Sequence, residues 1–179
     1  LIDTLRSNPN DRRLLVSAWN VGQLSSMALP PCHYTFQCYA EPLSLQDRVF
    51  EAGRRFHPTD IMQNTTPDTI EAWLNEIGIP SYQLSLMLNQ RSCDVGLGVP
   101  FNIVQYSILL RMIAEVVNMT PGTFIWNGGD VHIYENHISP LMEQVKLTPF
   151  PSPTLRFKRK VTDIDDFQFD DFIISGYQS

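Results

Sequence analysis

The sequence predicts an α+β fold: a mixed β-sheet packed against a long buried helix, with a two-helix insertion between two strands. Three observations carry this. Residues 100–118 hold Ile103, Val104, Ile108, Leu109, Leu110, Met112, Ile113, Val116 and Val117, apolar on almost every side of a helix, as in a helix buried within a sizeable core. Short apolar runs with period-two alternation lie on both sides of it. Between two of those runs, residues 41–82 change to charged, amphipathic helical texture.

Taken in order, Leu1 to Asn8 makes a short helix with Ile2 and Leu5 on one face, and Asn8-Pro9-Asn10-Asp11 stops it. Leu14 to Trp19 reads as a largely buried strand, and Tyr34 to Tyr39 as an alternating one. Leu45 to Phe56 is amphipathic, with Val49 and Phe50 on a helical face. Thr66-Pro67-Asp68 is an N-cap followed by proline at the first helical position, opening a helix with Ile70, Trp73, Leu74 and Ile77. Gly78 ends it and Pro80 prevents a restart. Leu84 to Leu88 alternates again as a strand.

Gln90 to Asn102 reads as a polar, two-glycine loop leading into the apolar helix, a place suited to an anion and a hydrogen-bonding ligand. On that helix Arg111 and Glu115 are spaced to pair at i,i+4. Phe124 to Trp126 is a short strand, Asn127-Gly128-Gly129-Asp130 a turn, and Val131 to Tyr134 a further strand. Ile138 to Leu147 is a short helix, prolines 149, 151 and 153 mark an extended connector, and residues 154–160 and 167–174 are closing strands.

The 179 residues suffice for one domain with a real core. A net charge of -6 argues against a general nucleic-acid or membrane-surface binder, while leaving room for a local positive pocket. Three cysteines without a C-x-x-C pair do not make a disulfide scaffold, so a reducing, cytoplasmic setting is expected. No run reaches the ~18 apolar residues of a membrane span. His33, His57 and His137 have no metal-ligand spacing with any cysteine, and no metal is expected. The opening Leu1-Ile2-Asp3-Thr4 leads to the expectation of a portion of a longer polypeptide.

Several residues carry candidate chemistry. Cys38 and Cys93 read as small buried hydrophobes. Cys32, pinned by Leu29-Pro30-Pro31 before a strand, is either another such residue or a reactive thiol. Arg12-Arg13 is a solvated pair or a phosphate grip. His132 and Tyr134 share one side of a strand, either as its wet face or as two donors for a sugar hydroxyl.

Four segments in series change this balance: Arg12 to Asn20, Met27 to His33, Gln90 to Ile103 and Gly128 to His137. Together with Phe169 to Tyr177 they resemble the catalytic half of the thymidylate synthase family, over nearly everything except residues 41–82. The resemblance implies that Cys32 is the nucleophile adding to C6 of dUMP, with 5,10-methylenetetrahydrofolate as co-substrate. It implies that Arg91 and Ser92, at the substrate site with Gln90, bind the phosphate and that Asp94 orients the pyrimidine and contacts the folate. His132 and Tyr134 would hold the ribose. It implies a homodimer in which Arg12 and Arg13 reach the partner's phosphate, with no nucleic acid needed for catalysis.

Asn102 would choose the base. A carboxamide complements the N3–H donor and O4 acceptor of uracil, whereas cytosine presents the reverse pair, and a buried mismatch costs about 1–3 kcal/mol. Two rivals remain at this level: a hydroxymethylase of the same fold, and a non-catalytic homologue working through residues 41–82. That insertion is either a peripheral decoration or a partner-binding module.

Overall fold

A computed structural model describes residues 1–56 and 66–178. It has α+β architecture, and the helix–strand order follows from the local signals. Helix α1 (Ile2–Ser7) precedes strands β1 (Leu15–Ser17) and β2 (His33–Pro42). Helices α2 (Leu45–Arg55) and α3 (Pro67–Glu76) come next, each opened by a hydroxyl cap: Ser44 accepts from the Asp47 amide and Thr66 from the Thr69 amide. Gly78 takes a positive φ of 74° just past α3, the left-handed turn that glycine adopts without strain. Strand β3 (Tyr82–Asp94), helix α4 (Gly98–Val116) and strand β4 (Thr120–His132) form the centre. Helix α5 (Glu135–Gln144) and a hairpin of β5 (Thr154–Phe157) and β6 (Phe172–Ser175) complete the described chain. His57 lies outside the described residues.

The main sheet runs β1-β2-β3-β4. Its first two pairings are antiparallel and the β3–β4 pairing is parallel, with α4 as the crossover between them. One sheet face presents Phe36, Cys38, Leu84, Leu86 and Leu88 to α4, where Tyr106, Leu110, Ile113 and Ala114 complete the core with Leu5 and Leu14. The other face carries Leu15, Gln37, Tyr39, Met87 and Ile125 in register. Helices α2 and α3 build a satellite core of their own from Ala52, Leu74 and Ile79. Buried Arg48 ties it together, donating to Asn75 Oδ1 at 2.7 Å and to the carbonyls of Ile79 and Pro80 at 3.1 Å.

Several expectations are corrected. Gln90 to Asp94 is the end of a 13-residue strand, and only residues 95–97 form the turn into α4. The expected turn at 127–130 also lies inside a strand, β4. Both errors share a cause: long parallel pairing supplies the backbone hydrogen bonds that a polar, glycine-rich sequence seemed to leave to a turn. Gly129 is needed for closeness, since a Cβ there would stand 3.1 Å from the Arg91 carbonyl oxygen. The strand expected to be largely buried at 14–19 buries only Leu14; Leu15 and Val16 are exposed because β1 is a sheet edge. Helix α4 is buried along one side only, with Phe101 and Val104 exposed. Arg111 donates to the Leu155 carbonyl at 2.8 Å and makes no ion pair with Glu115.

Candidate active site

The end of the sheet where β3 and β4 finish in parallel collects most of the candidate residues. The register sets Ser92 beside Asp130 and Asp94 beside His132, while His33 at the start of β2 pairs with Gln90. Carboxyl ends of parallel strands next to a helix start are a recurrent place for ligands in such sheets.

Cys32 enters this end through three anchors. The Arg91 amide donates to the Cys32 carbonyl at 2.8 Å. The Arg91 guanidinium donates through Nε to the Pro31 carbonyl at 3.1 Å and through Nη2 to the Pro30 carbonyl at 2.6 Å. His33 Nδ1 lies 2.8 Å from the Tyr106 hydroxyl, fixing the residue after Cys32 to α4. Arg91 also stacks over Trp19, 5.9 Å from its ring centroid. The cation therefore sits against the segment that delivers the thiol.

The other two thiols are disarmed. Burial pushes Cys38 up to about 12. Burial also raises Cys93, with a Gly129 backbone hydrogen bond opposing and the charges of Asp130 and Cys32 adding to the rise. Cys32 alone is partly exposed, and all three are free.

A chain of amides fixes Asn102. The Trp126 indole can only donate, and it does so to Gln90 Oε1 at 3.1 Å. That orientation leaves Gln90 Nε2 to donate to Asn102 Oδ1 at 3.0 Å and to the Ser92 carbonyl at 3.0 Å. Asn102 keeps its Nδ2 donors and the second lone pair of Oδ1 for a ligand. Trp126 was missed in the sequence; the available signal was that an indole N–H within a half-buried strand needs an acceptor.

Asp94 closes the strand. Burial acts to raise its pKa, but the amides of Gly96, Gly98 and Leu97 and the nearby His137 outweigh it and hold the carboxyl below its ordinary value. His137 Nδ1 is 3.4 Å from Asp94 Oδ1. The His132 and Tyr134 rings meet edge-on at 5.1 Å. The expected strand over 131–134 stops at His132 and Tyr134 caps α5, so the turn out of β4 and not strand alternation brings them together. The Ser92 hydroxyl makes no hydrogen bond among the described residues and is available to a ligand. Arg12 and Arg13 are not brought to this place within one chain; they line a separate 450 Å³ hollow with Asn8, Asn10 and Asp11.

The family model described as thymidylate synthase matches residues 1–179. The chain belongs to the thymidylate synthase family. It is 42% identical over 178 residues to a thymidylate synthase of Rhizobium rhizogenes, covering 99% of this chain and 48% of that relative. It is 43% identical over 177 residues to those of Saccharomyces cerevisiae and Saimiriine herpesvirus 2, with 99% of this chain covered and 48% and 47% of the respective relatives. The chain thus spans about half the length of the curated relatives it matches. Among the described residues no helix is long and apolar enough to cross a membrane.

Proposed function

We propose that the protein methylates dUMP to dTMP through covalent addition of Cys32 to C6 of the pyrimidine. The reading is carried by the fixed amide of Asn102, whose free donor and acceptor match O4 and N3–H of uracil. As the Cys32 sulfur bonds to C6, the C5=C6 π pair moves toward C5 and O4, and the Asn102 N–H stabilises the charge growing on O4. Ser92 and the unspent N–H groups of Arg91 bind the phosphate, and His132 with Tyr134 holds the ribose hydroxyl. 5,10-Methylenetetrahydrofolate supplies the one-carbon unit and the hydride. The residues suit it: Asp94 offers an ionised acceptor for ring N–H donors, close to Leu97, whose apolar side chain is exposed.

The protein acts as a homodimer in this reading. The sheet face opposite α4 leaves Leu15, Tyr39 and Ile125 exposed by 50%, 64% and 44%, a surface suited to a second sheet. Arg12 and Arg13, free of the site in one chain, would serve the partner's phosphate. The working compartment is the cytoplasm.

The test is incubation of the native-length protein with 5-fluoro-dUMP and methylenetetrahydrofolate, followed by mass spectrometry. A covalent adduct on Cys32, absent in Cys32→Ser, is expected; no adduct, or one that survives the substitution, overturns the reading. The product formed from dUMP itself, methyl or hydroxymethyl, then identifies the reaction.

A further inference from the structure

The distribution of positive charge is the least explained property of the molecule. The chain is acidic overall, yet seven of its 13 Lys and Arg residues line one 690 Å³ groove far along the sequence from the thiol. They come from three elements. Arg54 and Arg55 end α2, Arg111 projects from α4, and Arg156, Lys158, Arg159 and Lys160 belong to β5 and the residues just after it. Among the described residues, only Glu51 and Glu115 bring carboxylates to the lining.

Local structure accounts for part of this. Arg54 and Arg55 share Glu51, at 3.7 and 3.0 Å, and suit the carbonyl end of a helix. Arg159 is spent on Asp171. Arg156, Lys158 and Lys160 make no ion pair among the described residues, although mutual repulsion in one groove is unfavourable. Two unpaired buried atoms point the same way. Nε of Arg111 and Oγ1 of Thr120 are buried without a hydrogen-bond partner among the described residues, and both residues line this groove. Unmatched polar atoms beside unmatched cations mark a place built to receive an acceptor-rich anion.

We propose that this groove is a binding site for a triphosphate group, separate from the substrate phosphate site. Among the described residues the lining has seven cations against two carboxylates, and with Arg159 neutralised by Asp171 four positive charges are left unmatched. That is too much for a single phosphate and close to the charge of roughly −4 on a triphosphate, counting about −2 for its terminal group. Among the described residues Phe157 is the single aromatic on the lining, which suits one base at most and not a run of stacked nucleotides. The site would use the two-helix segment as one wall, giving residues 41–82 a role in which α2 brings cations to a groove made by the main fold. It does not depend on the activity proposed above.

The experiment is calorimetric titration of the native-length protein, saturated with dUMP to fill the substrate phosphate site. The probes are inorganic tripolyphosphate, thymidine triphosphate and a single-stranded RNA. Wild type is compared with Lys158→Gln/Lys160→Gln and Arg54→Gln/Arg55→Gln, exposed changes whose folding is checked by circular dichroism and thermal melting. Tripolyphosphate is expected to bind, and each double variant to weaken it at least tenfold with the melting temperature kept. Equal binding of the two triphosphates means the groove reads the phosphate chain alone. Tighter thymidine triphosphate binding that Phe157→Ala removes means a nucleotide is the ligand; both results uphold a triphosphate site. Absence of triphosphate binding, binding unchanged in both variants, or binding of RNA only overturns it.

Discussion

Gln90 Nε2 donates to Asn102 Oδ1 over 3.0 Å, and the donor-only indole of Trp126 determines which way both amides face. The base-reading residue is therefore oriented from the sheet, before any ligand arrives.

Removing the orienting group should act on the substrate as well as on the fold, because buried Gln90 also satisfies the Trp126 indole and the Ser92 carbonyl. Gln90→Leu frees the Asn102 amide to flip, and kcat/KM for dUMP should fall about 10- to 100-fold, the equivalent of about 1–3 kcal/mol. Asn102→Asp should shift preference toward dCMP. Steady-state kinetics with both nucleotides checks the pair, and an unchanged preference in Asn102→Asp removes the role assigned to it.

Gly128 guards the same chain of bonds from a distance. A Cβ at this position would stand 2.6 Å from the Trp126 ring and 2.7 Å from Val131, so Gly128→Ala is expected to push the indole and strain its bond to Gln90. The expected cost is about 1–3 kcal/mol of stability by overpacking. A fall in dUMP kcat/KM should accompany it, read by denaturant unfolding and kinetics. A variant that loses neither would show that Trp126 is not part of the device.

The three thiols should separate by reactivity. With Cys38 at about 12, only about one part in 10,000 of it is thiolate at pH 8. Iodoacetamide at that pH should label Cys32 well before Cys38 or Cys93, measured by peptide mass spectrometry over time. Early labelling of Cys38 would contradict the burial assigned to it.

Acid sensitivity should concentrate at the β5–β6 hairpin. The Arg159 side-chain hydrogen bond, first, and the Gln168 amide hold Asp171 below its ordinary 3.8. A depressed folded pKa gives stability that is full above 3.8 and is lost as pH falls through the lowered value. Asp171→Asn should therefore lower stability at pH 7 and flatten its dependence between neutral and acid pH. Urea melts across that range provide the check; an unaltered slope would count against the pair.

The two-helix segment should be separable from the main core. Arg48 is 3% exposed and satisfies Asn75 and two carbonyls, so Arg48→Met strands those acceptors and costs about 3 kcal/mol locally. Hydrogen exchange should rise in α2 and α3 while protection in α4 and β3 stays. Uniform loss of protection would mean the segment is integral to the main core.

The sequence alone determined the parts whose signals are local. Thr66-Pro67 and Gly78 bounded α3, period-two alternation identified β2 and the first half of β3, and apolar residues on almost every side of a helix identified α4. Motifs in series named the family and most of the candidate residues. Tertiary structure decided the rest, for reasons that pairing and packing supply. Gln90 to Asp94 and Gly128-Gly129 look like turns in isolation, and become strand because each lies against the other in a parallel ladder. Trp126 acquires a role only because the register sets it near Gln90, 36 residues away. The basic groove is invisible in a chain of net charge -6, since its cations are scattered over three elements and converge only when those elements pack.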